Sequence, residues 1–111
     1  MNAISEKLPA LVAEELETAN MMHTVFHSPH EGYAVIMEET DEVCDELERI
    51  GTEMSHLWEA VKLDNEADGR NYARMIERTA IRLAAEAIQV AAMARKFQAM
   101  GPEEWGGRNE L

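Results

Sequence analysis

The chain has few basic residues and one cysteine, and each scarcity excludes a class of protein. Its 111 residues include 10 Lys and Arg against 22 Asp and Glu, which gives a formal net charge of −12. Because nucleic-acid binding depends on clustered basic side chains, we expect no nucleic-acid partner. The single cysteine, Cys44, has no second thiol with which to form an internal disulfide, which is typical of a cytoplasmic protein.

Long apolar runs are also missing from the sequence. No uncharged apolar stretch approaches the ~18 residues that a membrane-spanning helix requires, so we expect no membrane contact. The first seven residues do not combine a basic start with an apolar stretch, so we expect no signal peptide. The 46% of hydrophobic residues is nevertheless enough to build a core, which excludes a disordered acidic tail. These features predict a soluble, cytoplasmic protein.

The negative charge is concentrated in the first half of the chain. Residues 1–60 hold 14 acidic and two basic residues, whereas residues 61–111 hold eight of each. Acid concentrated in one segment of a folded protein indicates a solubilising surface, a metal site or a basic partner.

Apolar residues recur at spacings of three and four, and no run of alternating β-branched residues occurs. This periodicity predicts three helices, over about 6–24, 29–63 and 70–100. The second start is the best specified, because Ser28, Pro29 and Glu31 form a capping box with proline at the first helical position. We expect one all-α domain over residues 1–101 and a flexible C-terminal tail over 102–111.

The long second helix carries a regular apolar stripe from Tyr33 to Val61. A stripe of this period requires coiled-coil-like packing against another long helix. The third helix has apolar or small residues around most of its circumference, which three helices alone do not cover. We therefore expect a bundle of long helices whose four-helix core is completed in a homodimer or a dimer of dimers.

Two glutamates of the second helix, Glu39 and Glu42, lie three residues apart and therefore share one side of it. At ~100° per residue both flank the apolar stripe, and Glu46 continues the row. Carboxylates at this spacing repel each other unless a base or a cation neutralises them. The pattern is typical either of a solvated acidic face or of a site for a hard cation such as Mg²⁺.

Glu86 falls inside the apolar arc of the third helix, between the directions of Leu83 and Met93. A carboxylate buried alone costs several kcal/mol, so such a side chain is rarely left uncompensated. Glu86 is therefore expected either to pair with a base or to join the carboxylates of the second helix around a metal.

Arginines recur every four residues along the third helix. The row consists of Arg70, Arg74, Arg78 and Arg82. Guanidinium groups match phosphate oxygens with two hydrogen bonds, so Arg78 and Arg82 are candidates for contacting a polyphosphate. The alternative is that the row pairs with the acidic residues of the second helix, within one chain or between chains.

Two further patterns resemble metal sites, but neither is complete. His23, His27 and His30 lie close in sequence but cross the helix break at Ser28, so capping and packing roles are favoured over a zinc site. Glu53 and His56 match one half of a ferritin-type site, and no second Glu-x-x-His pair follows.

Two stretches resemble the motifs of a known family. Residues 30–42 read HEGYAVIMEETDE, and residues 85–94 read AEAIQVAAMA. Together they resemble the MazG-like nucleotide pyrophosphohydrolases, especially their small phage and prophage members. These all-α enzymes have Glu-x-x-Glu on one helix and Glu-x-x-Asp on the next, which bind Mg²⁺ jointly. The resemblance covers about residues 23–97.

The resemblance implies Mg²⁺-dependent hydrolysis of a nucleoside triphosphate to the monophosphate and pyrophosphate. Glu39, Glu42 and Glu86 would hold the Mg²⁺ in this scheme. Glu38 would support the ligands or act as the base, and Gln89 would contact a water or the nucleotide base through its amide.

The chain departs from the family pattern in two respects. Gln89 stands where the family has its second-motif aspartate, and the gap between Glu42 and Glu86 is longer than usual. These departures leave two alternatives to the enzyme. One is a non-catalytic helical relative that binds a nucleotide or a protein, and the other is a purely structural acidic bundle.

Overall fold

A computed structural model describes residues 2–106, with side chains from Ile4 onward, and shows three α-helices joined by short turns. The helices are α1 (Asn2–Ala19), α2 (Pro29–Lys62) and α3 (Glu66–Gln98). No strand occurs among these residues, so the all-α prediction is confirmed. No helix in this part of the chain is both long and apolar enough to cross a membrane.

The chain divides into two compact units. Asp41–Glu86 forms one unit, and the described residues before and after it form the other. The hydrophobic core lies in the unit that contains the chain ends. Its buried members are Val12, Phe26, Ala92, Met93 and Met100. These residues come from α1, the α1–α2 connection, the second half of α3 and the residues directly after it.

Helix α1 lies earlier in the chain than its apolar pattern predicts. It begins at Asn2 and ends at Ala19, with Pro9 inside it rather than at a boundary. A proline within a helix removes one backbone hydrogen bond and costs ~3 kcal/mol. The helix continues through Pro9 because the apolar residues beyond it, Val12 and Leu16, pack in the core.

The start of α2 follows the predicted capping box. The hydroxyl of Ser28 accepts a hydrogen bond from the backbone N–H of Glu31 at 3.1 Å. The Glu31 carboxylate in turn accepts the backbone N–H of His27 at 2.6 Å, and its second oxygen lies 3.3 Å from the His27 ring. The first bond satisfies a donor that the first turn of a helix leaves unpaired, and the second binds Glu31 to the residue before the N-cap instead of to the N-cap itself.

The connection between α2 and α3 is shorter than predicted, because α3 begins at Glu66 rather than near Arg70. Asp64 ends α2 in the left-handed region, with φ of 52°. The Asn65 side chain then caps α3 by accepting the backbone N–H of Asp68 at 3.1 Å. An asparagine at the N-cap position stabilises a helix start, and this allows Gly69 to lie within the first turn.

Asp41–Glu86 is an antiparallel helical pair formed by the second part of α2 and the first part of α3. His56 stacks on Tyr72, with ring centroids 5.2 Å apart. Closer to Asp41, Glu53 contacts Thr79 and Glu46 contacts Arg82. With increasing distance from the α2–α3 turn, residues of α2 therefore contact α3 residues that are also farther from this turn, as in an antiparallel pair.

The residues that follow α3 form turns up to Gly106 instead of extending away from it. The Glu104 carboxylate accepts the backbone N–H of Gly101 at 2.6 Å. Trp105 packs edge-on against Phe97, with ring centroids 5.7 Å apart. The first part of the predicted tail thus has defined contacts, whereas residues 107–111 lie outside the described part of the chain.

The capping contact of Glu31 predicts a pH-dependent stability. The backbone N–H of His27, followed by the His27 side chain, lowers the pKa of Glu31 from its ordinary value of 4.5. A carboxylate with a depressed folded-state pKa stabilises the fold above its unfolded pKa and loses this effect as pH falls through the folded pKa. Glu31→Gln is therefore expected to lower the melting temperature at pH 7, with a difference from wild type that shrinks below pH 4.5.

Thermal unfolding across this pH range checks the prediction. Glu48→Gln, which changes an exposed glutamate in the middle of α2, is the matched control and should show no such convergence. A Glu31→Gln difference that stays constant with pH would contradict the assigned role of the capping carboxylate.

Candidate metal centre

Three carboxylates from two helices come together near the middle of the chain. One side-chain oxygen from each of Glu39, Glu42 and Glu86 lies within 4.8 Å of the other two. It is the one group of three or more acidic, histidine or cysteine ligands at this spacing among residues whose side chains the structure describes. The residues brought together are the three that the sequence analysis assigned to Mg²⁺.

Helix geometry determines how the three side chains meet. Glu39 precedes Glu42 by one turn on the uninterrupted α2, so their side chains share one side of this helix. Glu86 lies in α3, on the side of that helix that faces inward, and is half-buried like Glu39. Glu42 is exposed. The cluster is therefore partly shielded from water and open on the Glu42 side.

The negative charges of three carboxylates at this distance must be offset by a proton or a cation. Two unit charges 4.8 Å apart repel each other by about 1 kcal/mol even at the dielectric constant of water, and by more where the site is shielded. A shared proton or a bound cation relieves this repulsion. The donor set consists of hard oxygen atoms, which fits Mg²⁺ and leaves further coordination positions for water or phosphate oxygens.

Glu39 is the first of three glutamates spaced seven residues apart on the inner side of α2. The other two are Glu46 and Glu53, and α3 places a different partner beside each. Glu46 accepts a hydrogen bond from Arg82 at 3.4 Å, and the buried Glu53 accepts one from the Thr79 hydroxyl at 2.9 Å. Beside Glu39, α3 contributes another carboxylate, Glu86.

The arginine row of α3 is divided among different environments. Arg82 binds Glu46 and donates a second hydrogen bond to Thr79 at 3.1 Å, while Arg70 pairs with Glu66. Arg82 thus shows the pairing with an acidic residue of α2 that was the alternative to phosphate binding, whereas Arg70 pairs within α3 itself. Arg74 and Arg78 are exposed, and neither has an ion pair within the described part of the chain.

The remaining predicted site residues lie beside the cluster. Glu38 is exposed and directly precedes Glu39 in α2, and Gln89 is half-buried one turn after Glu86 in α3. Each of the two residues therefore lies within three positions of a carboxylate of the cluster.

Among the described side chains, His23, His27 and His30 belong to no group of three ligand atoms close enough together to hold one metal ion. His23 and His27 contact each other through their rings, with centroids 5.2 Å apart. His27 also contacts Glu31 at the start of α2. His30 lies on the first turn of α2. For His27 the structure shows the capping role that was favoured over zinc binding.

Sequence reasoning missed the contact between Glu53 and Thr79. Glu53 is 5% exposed and Thr79 is fully buried, although neither residue type is usually found in a core. The signal was present in the sequence, because Glu53 follows Glu39 and Glu46 at intervals of seven. Its partner was not predictable without the register between α2 and α3.

Replacing Thr79 with Val tests this buried contact. Valine keeps the shape of threonine but removes the hydroxyl, which leaves the buried Glu53 carboxylate without this donor. We expect a loss of about 1–3 kcal/mol in the free energy of unfolding. Urea denaturation measures this loss, and Thr79→Ser should restore most of it.

Thr52→Val is the matched control, because Thr52 is exposed on α2 and bonds only to a backbone carbonyl of its own helix. Its effect should stay within about 0.5 kcal/mol. Equal free energies of unfolding for the Thr79→Val and Thr52→Val proteins would show that the contact between Thr79 and Glu53 does not stabilise the fold.

No protein-family model, no curated protein and no solved structure matches the chain. The likeness to MazG-like enzymes therefore depends on the two sequence motifs alone. The arrangement of Glu39, Glu42 and Glu86 is the observation from which a function is argued.

Proposed function

We propose that the protein is a Mg²⁺-dependent nucleoside triphosphate pyrophosphohydrolase, which converts the triphosphate and water to the monophosphate and pyrophosphate. The observation that carries the proposal is the meeting of Glu39, Glu42 and Glu86 within 4.8 Å. The motifs around these residues support it, because they resemble those of the MazG-like family on both helices. The donor chemistry of the cluster fits the metal that such hydrolysis requires.

Glu39, Glu42 and Glu86 hold the Mg²⁺ in this proposal. The metal, when bound, neutralises charge on the phosphate oxygens and promotes ionisation of water. The exposure of Glu42 leaves one side of the cluster accessible to a triphosphate. Water forms the new bond to the α-phosphorus, the bond from this phosphorus to the α–β bridging oxygen breaks, and pyrophosphate leaves.

The neighbouring polar residues have narrower roles in the proposal. Glu38 is the candidate base that accepts the proton of the attacking water, and Gln89 orients a water or the nucleotide base through its amide. Arg78 is the better candidate for a phosphate contact, because it is exposed and makes no ion pair among the described residues. Arg82 is a weaker candidate, since Glu46 and Thr79 already hold its guanidinium group.

One observation favours a second candidate function. Gln89 supplies no negative charge where the family has an aspartate, so the cluster holds three carboxylates instead of four. A metal held by fewer charges is bound less tightly, and the chemical step depends on its position. The second candidate is accordingly a non-catalytic relative that binds a nucleotide or another protein through the same residues.

We also propose that the protein is a homodimer in the cytoplasm. Four large apolar side chains on one stripe of α2, Leu47, Met54, Trp58 and Val61, are each more than half exposed. Their heptad spacing is that of a helix-packing seam, and a soluble protein rarely leaves such a stripe uncovered. A second copy covers the stripe and completes a four-helix core. The exposed free thiol of Cys44 is consistent with a reducing compartment.

Release of pyrophosphate from a panel of ribonucleoside and deoxyribonucleoside triphosphates tests the enzyme. We expect release that requires Mg²⁺, and we expect Glu39→Gln to reduce its rate by about 100-fold or more, because one ligand carboxylate is lost. Glu48→Gln, an exposed glutamate on the same helix, is the matched control and should retain the wild-type rate.

The other outcomes decide between the alternatives. Mg²⁺-dependent binding of a triphosphate without any product would favour the non-catalytic relative. A purely structural acidic bundle predicts neither binding nor product, and Glu39→Gln would then raise the melting temperature by relieving repulsion. Either result would refute the proposal that the protein is a pyrophosphohydrolase.

Light scattering coupled to gel filtration tests the dimer. We expect a mass of twice 12.5 kDa for the wild type. Leu47→Glu combined with Trp58→Glu should weaken association by about 100-fold, because each change places a charge in the apolar seam. Met21→Glu, at an exposed position before α2, should leave the dimer intact. A monomeric wild type would contradict the proposed dimer.

A further inference from the structure

A cavity of about 390 Å³ lies in the unit that contains the chain ends. Five residues line it: Pro29, His30, Tyr33, Phe97 and Trp105. The volume lies within the range of pockets that bind small molecules. The lining is almost entirely apolar and contains three aromatic rings and an imidazole, although aromatic residues make up 5% of the chain.

Local packing holds the walls of the cavity in place. A Cβ atom on Gly32 would lie 2.7 Å from the Phe97 ring and 2.9 Å from the Phe26 ring, so the α2 backbone lies directly against both rings. Trp105 packs edge-on against Phe97. Its backbone N–H binds the carbonyl of Gly101 at 3.3 Å, which holds the turn after α3. The walls formed by Phe97 and Trp105 are therefore held in place by contacts within the chain.

Two of the three aromatic rings of this cavity are unusually exposed for their size. Tyr33 is 65% exposed and Trp105 is 59% exposed, so the chain itself covers little of either side chain. Exposed aromatic rings beside a preformed cavity provide surfaces on which a flat aromatic ligand stacks. The lining side chains of His30, Tyr33 and Trp105 also carry an imidazole, a hydroxyl and an indole N–H, which can form hydrogen bonds with a ligand that has polar edges.

The lining also excludes other ligands. It contains no lysine, arginine, aspartate or glutamate, so it provides no counter-charge for a phosphate or an ammonium group. A purely aliphatic ligand would use neither the faces of the rings nor the hydrogen-bonding groups of these side chains. A heteroaromatic ring with donors and acceptors on its edge, such as a nucleobase, uses both the stacking surfaces and the polar atoms.

We propose that this aromatic cavity binds the nucleobase of a nucleoside or nucleotide. Tyr33 precedes Glu39 by six residues of α2, a rise of about 9 Å along the helix. Under the proposed function, this base would be that of the nucleoside triphosphate substrate. The link to the carboxylates rests on the proposed function, whereas binding of the base itself does not.

Fluorescence of Trp105 tests the proposal directly. The variant Trp58→Phe leaves Trp105 as the one tryptophan of the full chain. Without Mg²⁺, adenosine, guanosine, cytidine, uridine and thymidine are each titrated, and inorganic triphosphate is titrated as the probe without a base. We expect saturable quenching by at least one nucleoside and none by triphosphate.

Two tyrosine variants in this background localise the binding. Tyr33→Ala should weaken nucleoside binding by about ten-fold or more, because it removes one stacking surface. Tyr72→Ala is the matched control, since Tyr72 stacks on His56 in the Asp41–Glu86 unit and does not line the cavity. It should bind the nucleoside with unchanged affinity.

Each contrary result has a definite meaning. If no nucleoside quenches Trp105, or if Tyr33→Ala leaves nucleoside binding in the Trp58→Phe background unchanged, the assignment of the cavity to a nucleobase is wrong. A Trp105 signal that changes with protein concentration alone would assign the cavity to a second copy of the chain and would also overturn it.

The outcome is separable from that of the proposed function. Pyrophosphate release without nucleoside quenching would refute nucleobase binding in the cavity but would leave the proposed hydrolase activity supported. Nucleoside quenching without pyrophosphate release from any triphosphate would support nucleobase binding and refute the proposed hydrolase activity.

Discussion

Electrostatic repulsion among Glu39, Glu42 and Glu86 is the constraint around which the candidate site is organised. Two of these carboxylates are fixed by their spacing on α2, and the third comes from α3. A fold that brings them together must offset their repulsion, and a divalent cation does so while using the oxygen ligands that it prefers. The same cation is what phosphoryl chemistry requires, so the requirement for compensation and the proposed activity are satisfied by one ion.

The heptad spacing of glutamates along α2 explains why one position differs from the others. Glu46 and Glu53 occupy equivalent positions on the helix, and each accepts a hydrogen bond from α3. Those contacts favour one register of the antiparallel pair, because buried polar groups are stable only with their partners. Beside Glu39, the α3 residue is itself a carboxylate, Glu86. The contacts of Glu46 and Glu53 therefore have a structural role, and the position of Glu39 is the one suited to bind a cation.

Local signals in the sequence were sufficient for most of the fold, whereas the resemblance to the MazG-like family assigned the three carboxylates to one site. The capping box at Ser28 predicted the start of α2, and the position of Glu86 on an apolar face predicted either a basic partner or a metal site. The start of α3 was predicted near Arg70, and the Asn65 cap places it four residues earlier, at Glu66. The Arg82 contact and the aromatic cavity depend on which residues meet across helices, and periodicity within one helix carries no such information.

Isothermal titration of Mg²⁺ into the full chain measures cation binding at the three carboxylates independently of turnover. We expect one ion per chain for the wild type. Glu42→Gln should weaken binding by about ten-fold or more, and Glu48→Gln should leave it unchanged. Absence of Mg²⁺ binding by the folded wild-type protein, or equal binding by the two variants, would contradict the metal centre.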